Sequence, residues 1–377
     1  MIDALVALTA EFGLWLAEKI SSQLLDSSGG VTMGTRIAVL GGSNSLLKGG
    51  WVDRFEERYS ESVDLQNLSI GASTSAMGLF RYLSVLNESD GRLLVWEYSL
   101  NEENYFKNGQ GLQPLIRHVE WILQLCAREG RKFLAVLLYT KEEEERSVRS
   151  EYREKLKVLF ERYQVQTVDA GEILRQVAGT EEPDWNYWYK ENAHYSVETP
   201  FLTALADAVF QKLIEARCPL PGPIASRRFH GRKLTLCYPL GENGLPFKNR
   251  VLSCTKFPIV DGVVVPAVGN PIACILVTSN NAESALIIAG GKRKGPYSTQ
   301  ISGKPSSPKF LLKHIILWNS IDDMLEADHE VRIVDGRREI GDEKLKRPIR
   351  QNTFCWEGWK DVDREDGVVA LLVEGRD

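Results

Sequence analysis

Ser43 stands directly after a glycine pair at the end of an apolar run, in the stretch Arg36–Ser45 (RIAVLGGSNS). A hydroxyl in that setting has three uses: a nucleophile, a phosphate ligand, or the cap of a following helix. The phosphate uses demand particular spacings. A Walker loop needs G-x-x-x-x-G-K-[ST], whereas Lys48 here precedes Gly49-Gly50; a dinucleotide fingerprint needs G-x-G-x-x-G, which Gly41–Leu46 does not supply. A nucleophilic Ser needs an imidazole to take its proton and preorganised donors for the oxyanion. Three further stretches offer such groups: Gly71 within Asn67–Ser73, Asn101 within Glu97–Glu102, and His194 within Glu191–Ser196.

These residues lie far apart in sequence, so a fold must gather them. Ile37–Leu40 reads as a short strand buried on both faces, and Trp51, Val52, Phe55 and Tyr59 follow at helical spacing. Further strand-like runs occur at Ser62–Leu68, Arg92–Tyr98, Lys132–Tyr139 and Val165–Ala170. Helical patterns lie between them, near Ser73–Asn87, Leu112–Glu129 and Glu143–Tyr163, and Phe201–Ala216 closes the unit. This alternation predicts a parallel sheet with helices on both faces; the strand order 2-1-3-4-5 is assumed for it. In such a sheet the loops at the carboxyl ends of the strands meet at one edge, so Ser43, Gly71, Asn101 and His194 can converge.

In order and context these four positions resemble the SGNH (GDSL-like) hydrolase family, over residues 36 to about 216. Its first block is similar to Gly41–Ser45 and its second to Gly71; the third, G-x-N-D, reads Ser99-Leu100-Asn101-Glu102. The fifth, D-x-x-H, reads Glu191-Asn192-Ala193-His194. The resemblance implies a flavodoxin-like three-layer α/β domain. It also implies Ser43 as nucleophile, His194 as proton shuttle and Glu191 as triad acid. The oxyanion would be held by the N–H groups of Ser43 and Gly71 and the Asn101 amide. Three positions depart from the pattern: Gly42 replaces the Asp that precedes the nucleophile, Glu102 replaces the block-three Asp, and Glu191 is one methylene longer than Asp. Asp184 is a second candidate for the acid, and a backbone carbonyl can also orient an imidazole.

The loop before His194 carries Trp185, Tyr187, Trp188 and Tyr189. These rings form either a hydrophobic plug or a wall on which a sugar stacks, with Trp185, Trp188 and Tyr189 as candidate substrate contacts. Lys141–Arg146 (KEEEER) reads as a solvated helix start.

Beyond Ala216 the texture changes. Pro219, Pro221, Gly222 and Pro223 mark a linker over 217–229. Residues 230–377 hold short β-branched runs divided by turn residues: Lys233–Tyr238, Gly262–Ala267, Ala273–Val277, Ala285–Ala289, Phe310–Trp318, Val331–Val334 and Val368–Val373. They predict an accessory β-sandwich or jelly roll, in which Trp318, Trp356 and Trp359 could line a sugar groove.

A length of 377 residues fits two domains, and 43% hydrophobic with 26% charged residues is enough for a sizeable core. The net charge of −5 argues against a nucleic-acid partner, and the basic clusters Lys292–Lys294 and Lys344–Arg350 read as solvated loops. Cys126, Cys218, Cys237, Cys254, Cys274 and Cys355 show no metal-ligand or C-x-x-C spacing, so free, buried thiols and no metal are expected. In residues 1–30, Leu5, Leu8, Phe12, Trp15, Leu16, Ile20 and Leu24 recur at helical spacing around acidic residues. That segment reads as an amphipathic helix docked on the body or on a second subunit, joined by a connector at Ser27–Thr35. It lacks the marks of a signal peptide, which points to the cytoplasm, and no run is long enough to span a membrane. The expected activity is a cofactor-free esterase acting on an acylated carbohydrate. The alternatives are an O-acetyltransferase using the same site, with acyl-CoA as a possible donor, and a non-catalytic carbohydrate binder on a decayed hydrolase scaffold.

Overall fold

The structure is a computed structural model that describes residues 34–86, 90–180, 182–302, 309–341, 347–352, 354–359 and 364–376. The expected helix over 1–30 lies outside the described residues. The first unit is built on a five-stranded parallel sheet: β1 (Thr35–Gly41), β2 (Val63–Asn67), β3 (Leu93–Glu97), β4 (Phe133–Leu137) and β5 (Gln166–Asp169). Its order is β2-β1-β3-β4-β5, the order assumed for it from sequence. Alternate residues of β1 serve opposite cores. Ile37 and Val39 pack with Trp51, Val52 and Phe55 of helix Trp51–Tyr59 and with helix Phe201–Glu215. Ala38 and Leu40 face helices Ser75–Val85, Leu112–Arg128 and Glu151–Arg162. The inner strands β1, β3 and β4 are covered on both faces and read as apolar runs, whereas the edge strands β2 (VDLQN) and β5 (QTVD) carry polar residues.

Two local readings need correction. The single helix expected over Glu143–Tyr163 is two helices, Lys141–Arg146 and Glu151–Arg162. The first opens with a Thr140/Glu143 capping box and ends at Ser147 in the left-handed region (φ 49); the Ser150 side chain caps the second. The stretch after β3, read as a loop, is helix Ser99–Lys107. Its sequence, SLNEENYFK, lacks a regular apolar stripe.

The expected linker also carries structure: Pro223 sits in the first turn of helix Pro223–Phe229, and Phe229 packs edge-on against Trp121. Beyond it, strands β6 (Tyr189–Glu191) and β7 (His194–Tyr195) having formed a small hairpin in the first unit, the numbering resumes with β8 (Arg232–Cys237), β9 (Leu245–Lys248), β10 (Ser253–Pro258) and β11 (Val263–Pro266). There follow β12 (Asn270–Ser279), β13 (Ser284–Ala289), β14 (Lys292–Ser298), β15 (Phe310–Ile316), β16 (Glu330–Asp335) and β17 (Gly367–Arg376). One sheet runs β15-β12-β17-β10-β9 with β8 also on β17; the other runs β11-β16-β13-β14; all their pairings are antiparallel. Cys274, Leu276 and Leu371 from the first meet Ile287, Val331 and Ile333 from the second, a β-sandwich. Lys292–Lys294 opens strand β14 and is not a loop; Arg293 and Lys294 there pair with Glu339 and Asp323.

The outer face of the larger sheet is not solvated. Ile272, Ile275, Leu312 and Val369 share one hydrophobic core with Leu79, Phe80, Trp121 and Ile122 of the α/β unit. The buried Glu374 of β17 accepts from Arg117 Nη2 at 2.7 Å and Trp121 Nε1 at 2.8 Å. All six cysteines are free; Cys126 and Cys274 are buried and the other four are half-buried. No described helix is long and apolar enough to cross a membrane.

Candidate active site

Strand β1 ends at Gly41, and the chain turns into a single 3-10 turn, Ser43–Ser45. The turn lies against β3. Glu97 Oε2 accepts from Gly42 N–H at 3.1 Å and from Ser45 Oγ at 2.7 Å. Both glycines are required by close approach: a Cβ on Gly41 would lie 2.5 Å from Ser45 Oγ, and one on Gly42 would lie 2.1 Å from Asn101 Oδ1. Any side chain at position 42 would therefore collide with the Asn101 amide as it is placed here. Ser43 caps no helix; the next one, Trp51–Tyr59, has Gly50 at its cap. Instead, Ser43 Oγ lies 2.7 Å from His194 Nε2.

His194 comes from the hairpin β6–β7, in which Glu191 and His194 are cross-strand partners. That register places the Glu191 carboxylate on His194 Nδ1. Asp184 instead caps its own short helix, Trp185–Trp188, through Asn186 N–H. The hairpin tip is fixed from outside. Asn192 O accepts from Lys141 N–H at 2.9 Å, and Asn192 Oδ1 from Glu142 N–H at 3.0 Å, at the start of helix Lys141–Arg146. Asn44 Nδ2 donates to Ala193 O at 2.9 Å, tying the Ser43–Ser45 turn directly to the histidine hairpin. Under the hairpin, the buried Tyr189 and Tyr195 hydroxyls both donate to Tyr139 O at 3.1 Å. The Glu191 side chain is 62% exposed and that of His194 25%, so the imidazole sits at a mouth open to solvent.

The second block approaches from β2. Leu68 N–H and Ile70 N–H continue the parallel ladder onto Val39 O (2.9 Å) and Gly41 O (3.0 Å). This sets Gly71 beside Ser43: a Cβ there would meet Ser43 Cβ at 3.7 Å. Asn67 Nδ2 holds Ser45 O at 2.7 Å. Asn101, in the first turn of helix Ser99–Lys107, places its amide against Gly42, with Oδ1 buried and unpartnered among the described residues. Ser43, Gly71, Asn101, His194 and Glu191 thus meet at one end of the sheet.

Glu102 is not part of this group. It is buried, accepting from Ser75 N–H at 2.7 Å and from Tyr152 Oη at 2.6 Å, and burial pushes its carboxyl up to about 7. Burial raises Glu97 to about 7 as well, against the opposing hydrogen bonds from Ser45 and Gly42. Asn44 and Glu97 hold the site together, yet neither is evident from sequence spacing. The aromatic loop divides. Trp188 and Tyr189 are 7% and 3% exposed and belong to the core, so they present no face to a sugar; Trp185 is half-buried and Tyr187 is exposed. In the sandwich, Trp318 is buried, while Trp356 and Trp359 are half-exposed and packed edge to face at 4.6 Å.

No family model and no curated protein sequence matches this chain. Among solved structures, it is similar to a two-domain esterase (CEX) active on acetylated mannans, with TM-score 0.60 and 13% identity over 95% of each chain. The same kind of match holds for that esterase co-crystallized with mannopentaose, with TM-score 0.57 and 12% identity over 91% of each chain. At these identities the likeness is one of fold. It covers both parts of the chain, the α/β unit built on the parallel sheet and the β-sandwich that follows it, in a two-domain architecture shared with those structures.

Proposed function

We propose that this chain, which shares its two-domain fold with an esterase active on acetylated mannans, is itself a serine-dependent esterase that removes O-acyl groups from carbohydrate. The observation that carries the reading is the continuous path from Ser43 Oγ through the His194 ring to the Glu191 carboxylate. His194 Nε2 accepts the Ser43 proton as Oγ attacks the ester carbonyl, and Glu191 holds the other ring nitrogen as donor. The tetrahedral oxyanion then lies among Ser43 N–H, Gly71 N–H and the Asn101 amide, donors set before the substrate arrives. Collapse expels the sugar hydroxyl, which takes the proton back from His194. Water, activated by the same imidazole, releases the acid from Ser43. The open mouth at Glu191 and His194 suits an ester carried on a bulky, solvated polymer.

The test is acetate release from acetylated mannan and acetylated xylan, alongside p-nitrophenyl acetate. Wild-type protein should release acetate and Ser43→Ala should lose at least 10³-fold in rate, the order expected when a nucleophile is removed. A fluorophosphonate should label the wild type at Ser43 alone. Absence of both activity and labelling would leave a binding protein. Acetylated oligosaccharide appearing at the expense of free acetate would make the enzyme a transferase.

A further inference from the structure

The sandwich reaches the candidate site through one strand. On β15, Lys313 is 4% exposed and His314 fully buried. Lys313 Nζ donates to Ala72 O at 3.3 Å, and His314 Nε2 lies 2.9 Å from Thr74 Oγ1. Tyr105 Oη also donates to Ala72 O, at 3.4 Å, while its ring stacks on the His314 ring at 5.6 Å. The held residue is unusual. Ala72 has φ 50, the left-handed region that a residue with a Cβ enters only under constraint. It directly follows Gly71, whose N–H faces the developing oxyanion in the reading above.

A lysine in this place is costly. No carboxylate lies within ion-pair distance of Lys313 among the described residues, and burial alone lowers its ammonium to about 8. A buried cation without a counter-charge weakens folding, and an apolar residue of similar shape is expected to fold as well or better. What Lys313 does supply is a second donor on the carbonyl of a strained turn, brought in from another domain.

We propose that Lys313, with His314, is a positioning residue. The β-sandwich clamps the left-handed turn at Ala72 and so aims Gly71 N–H at the oxyanion. On this account the accessory domain serves the chemical step, in addition to any part in holding carbohydrate. The proposal rests on the esterase reading for its kinetic consequence but not for its structural one.

The experiment compares wild type, Lys313→Met and Lys313→Arg by two readouts. On p-nitrophenyl acetate, a substrate too small to need a polysaccharide groove, Lys313→Met should lower kcat about tenfold with KM unchanged, and Lys313→Arg should recover most of the loss. That is less than the 10²–10³ lost when an oxyanion donor is removed outright, because Tyr105 still holds the carbonyl. Thermal unfolding of Lys313→Met should be equal to wild type or higher, which separates positioning from stability. Hydrogen exchange of the segment 70–76 should quicken several-fold in Lys313→Met whether or not any ester is turned over. Unchanged exchange there, or a folded Lys313→Met with full kcat, overturns the clamp. Faster exchange in Lys313→Met than in wild type, with neither protein turning over any ester, sustains the clamp and overturns the proposed function instead.

Discussion

Replacing Glu97 by Gln should make the protein more stable at neutral pH and no more stable in acid. Glu97 is wholly buried, and burial raises its carboxyl from an ordinary 4.5 to about 7. At about 1.4 kcal/mol per pH unit, ionising it in the folded protein costs about 3 kcal/mol. The sign follows from proton counting. Between pH 4.5 and 7 the folded state holds a proton that the unfolded state has released, so stability falls as pH rises through that window. Glutamine keeps an acceptor oxygen for Gly42 N–H and Ser45 Oγ but cannot ionise. Urea unfolding of both proteins from pH 4 to pH 8 checks this, because every other carboxyl titrates in both and cancels in the difference. The advantage of Glu97→Gln should grow by about 3 kcal/mol between pH 4 and pH 8, on top of whatever constant offset the amide introduces. A difference that stays flat across that range would refute the reasoning. Glu97→Ala is the opposing control: it strips both donors of their acceptor and should cost about 1–3 kcal/mol per buried group left unpaired.

Other substitutions probe the same site. Glu191→Gln should lower kcat on p-nitrophenyl acetate by about 10–10²-fold, less than the ~10⁴ seen for a fully buried triad acid, since this carboxylate is largely exposed; Asp184→Asn should leave kcat unchanged. Gly42→Ala should abolish most turnover while leaving the chain folded, because the new methyl group displaces the Asn101 amide. Trp188→Ala should cost about 3–5 kcal/mol of stability as a core deletion, whereas Tyr187→Ala, at an exposed ring, should leave unfolding unchanged and raise KM only for polymeric substrate.

The parallel sheet was legible because burial on both faces writes itself as unbroken apolar runs. The strand ends were legible for the same reason: Gly41-Gly42 and Asn67–Ser73 break those runs sharply. What escaped was set by contacts across the fold. Glu97 lies in RLLVWEY and looks like the tail of a strand; its partners Gly42 and Ser45 are more than fifty residues away. Asn44 was visible only as a neighbour of Ser43, with nothing local to link it to Ala193. The aromatic loop misled for a related reason, since composition cannot say which of four adjacent rings turns inward. Read along the chain, Gly42 gave no sign of the steric limit visible in three dimensions, where a Cβ would collide with the Asn101 amide.

The core shared by helices Ser75–Val85 and Leu112–Arg128 and the outer face of the larger β-sheet bears on how the molecule comes apart. Domains joined by a polar, solvated seam melt separately and can be expressed apart. Here the seam is made of Phe80, Trp121, Ile275 and Val369, and cutting it would lay bare apolar surface on both halves. Calorimetry should accordingly show one transition with matching calorimetric and van't Hoff enthalpies. A fragment ending near residue 216 should be aggregation-prone and short-lived, even though it contains every group from Ser43 to His194. Two domains in architecture, the chain should unfold as a single unit.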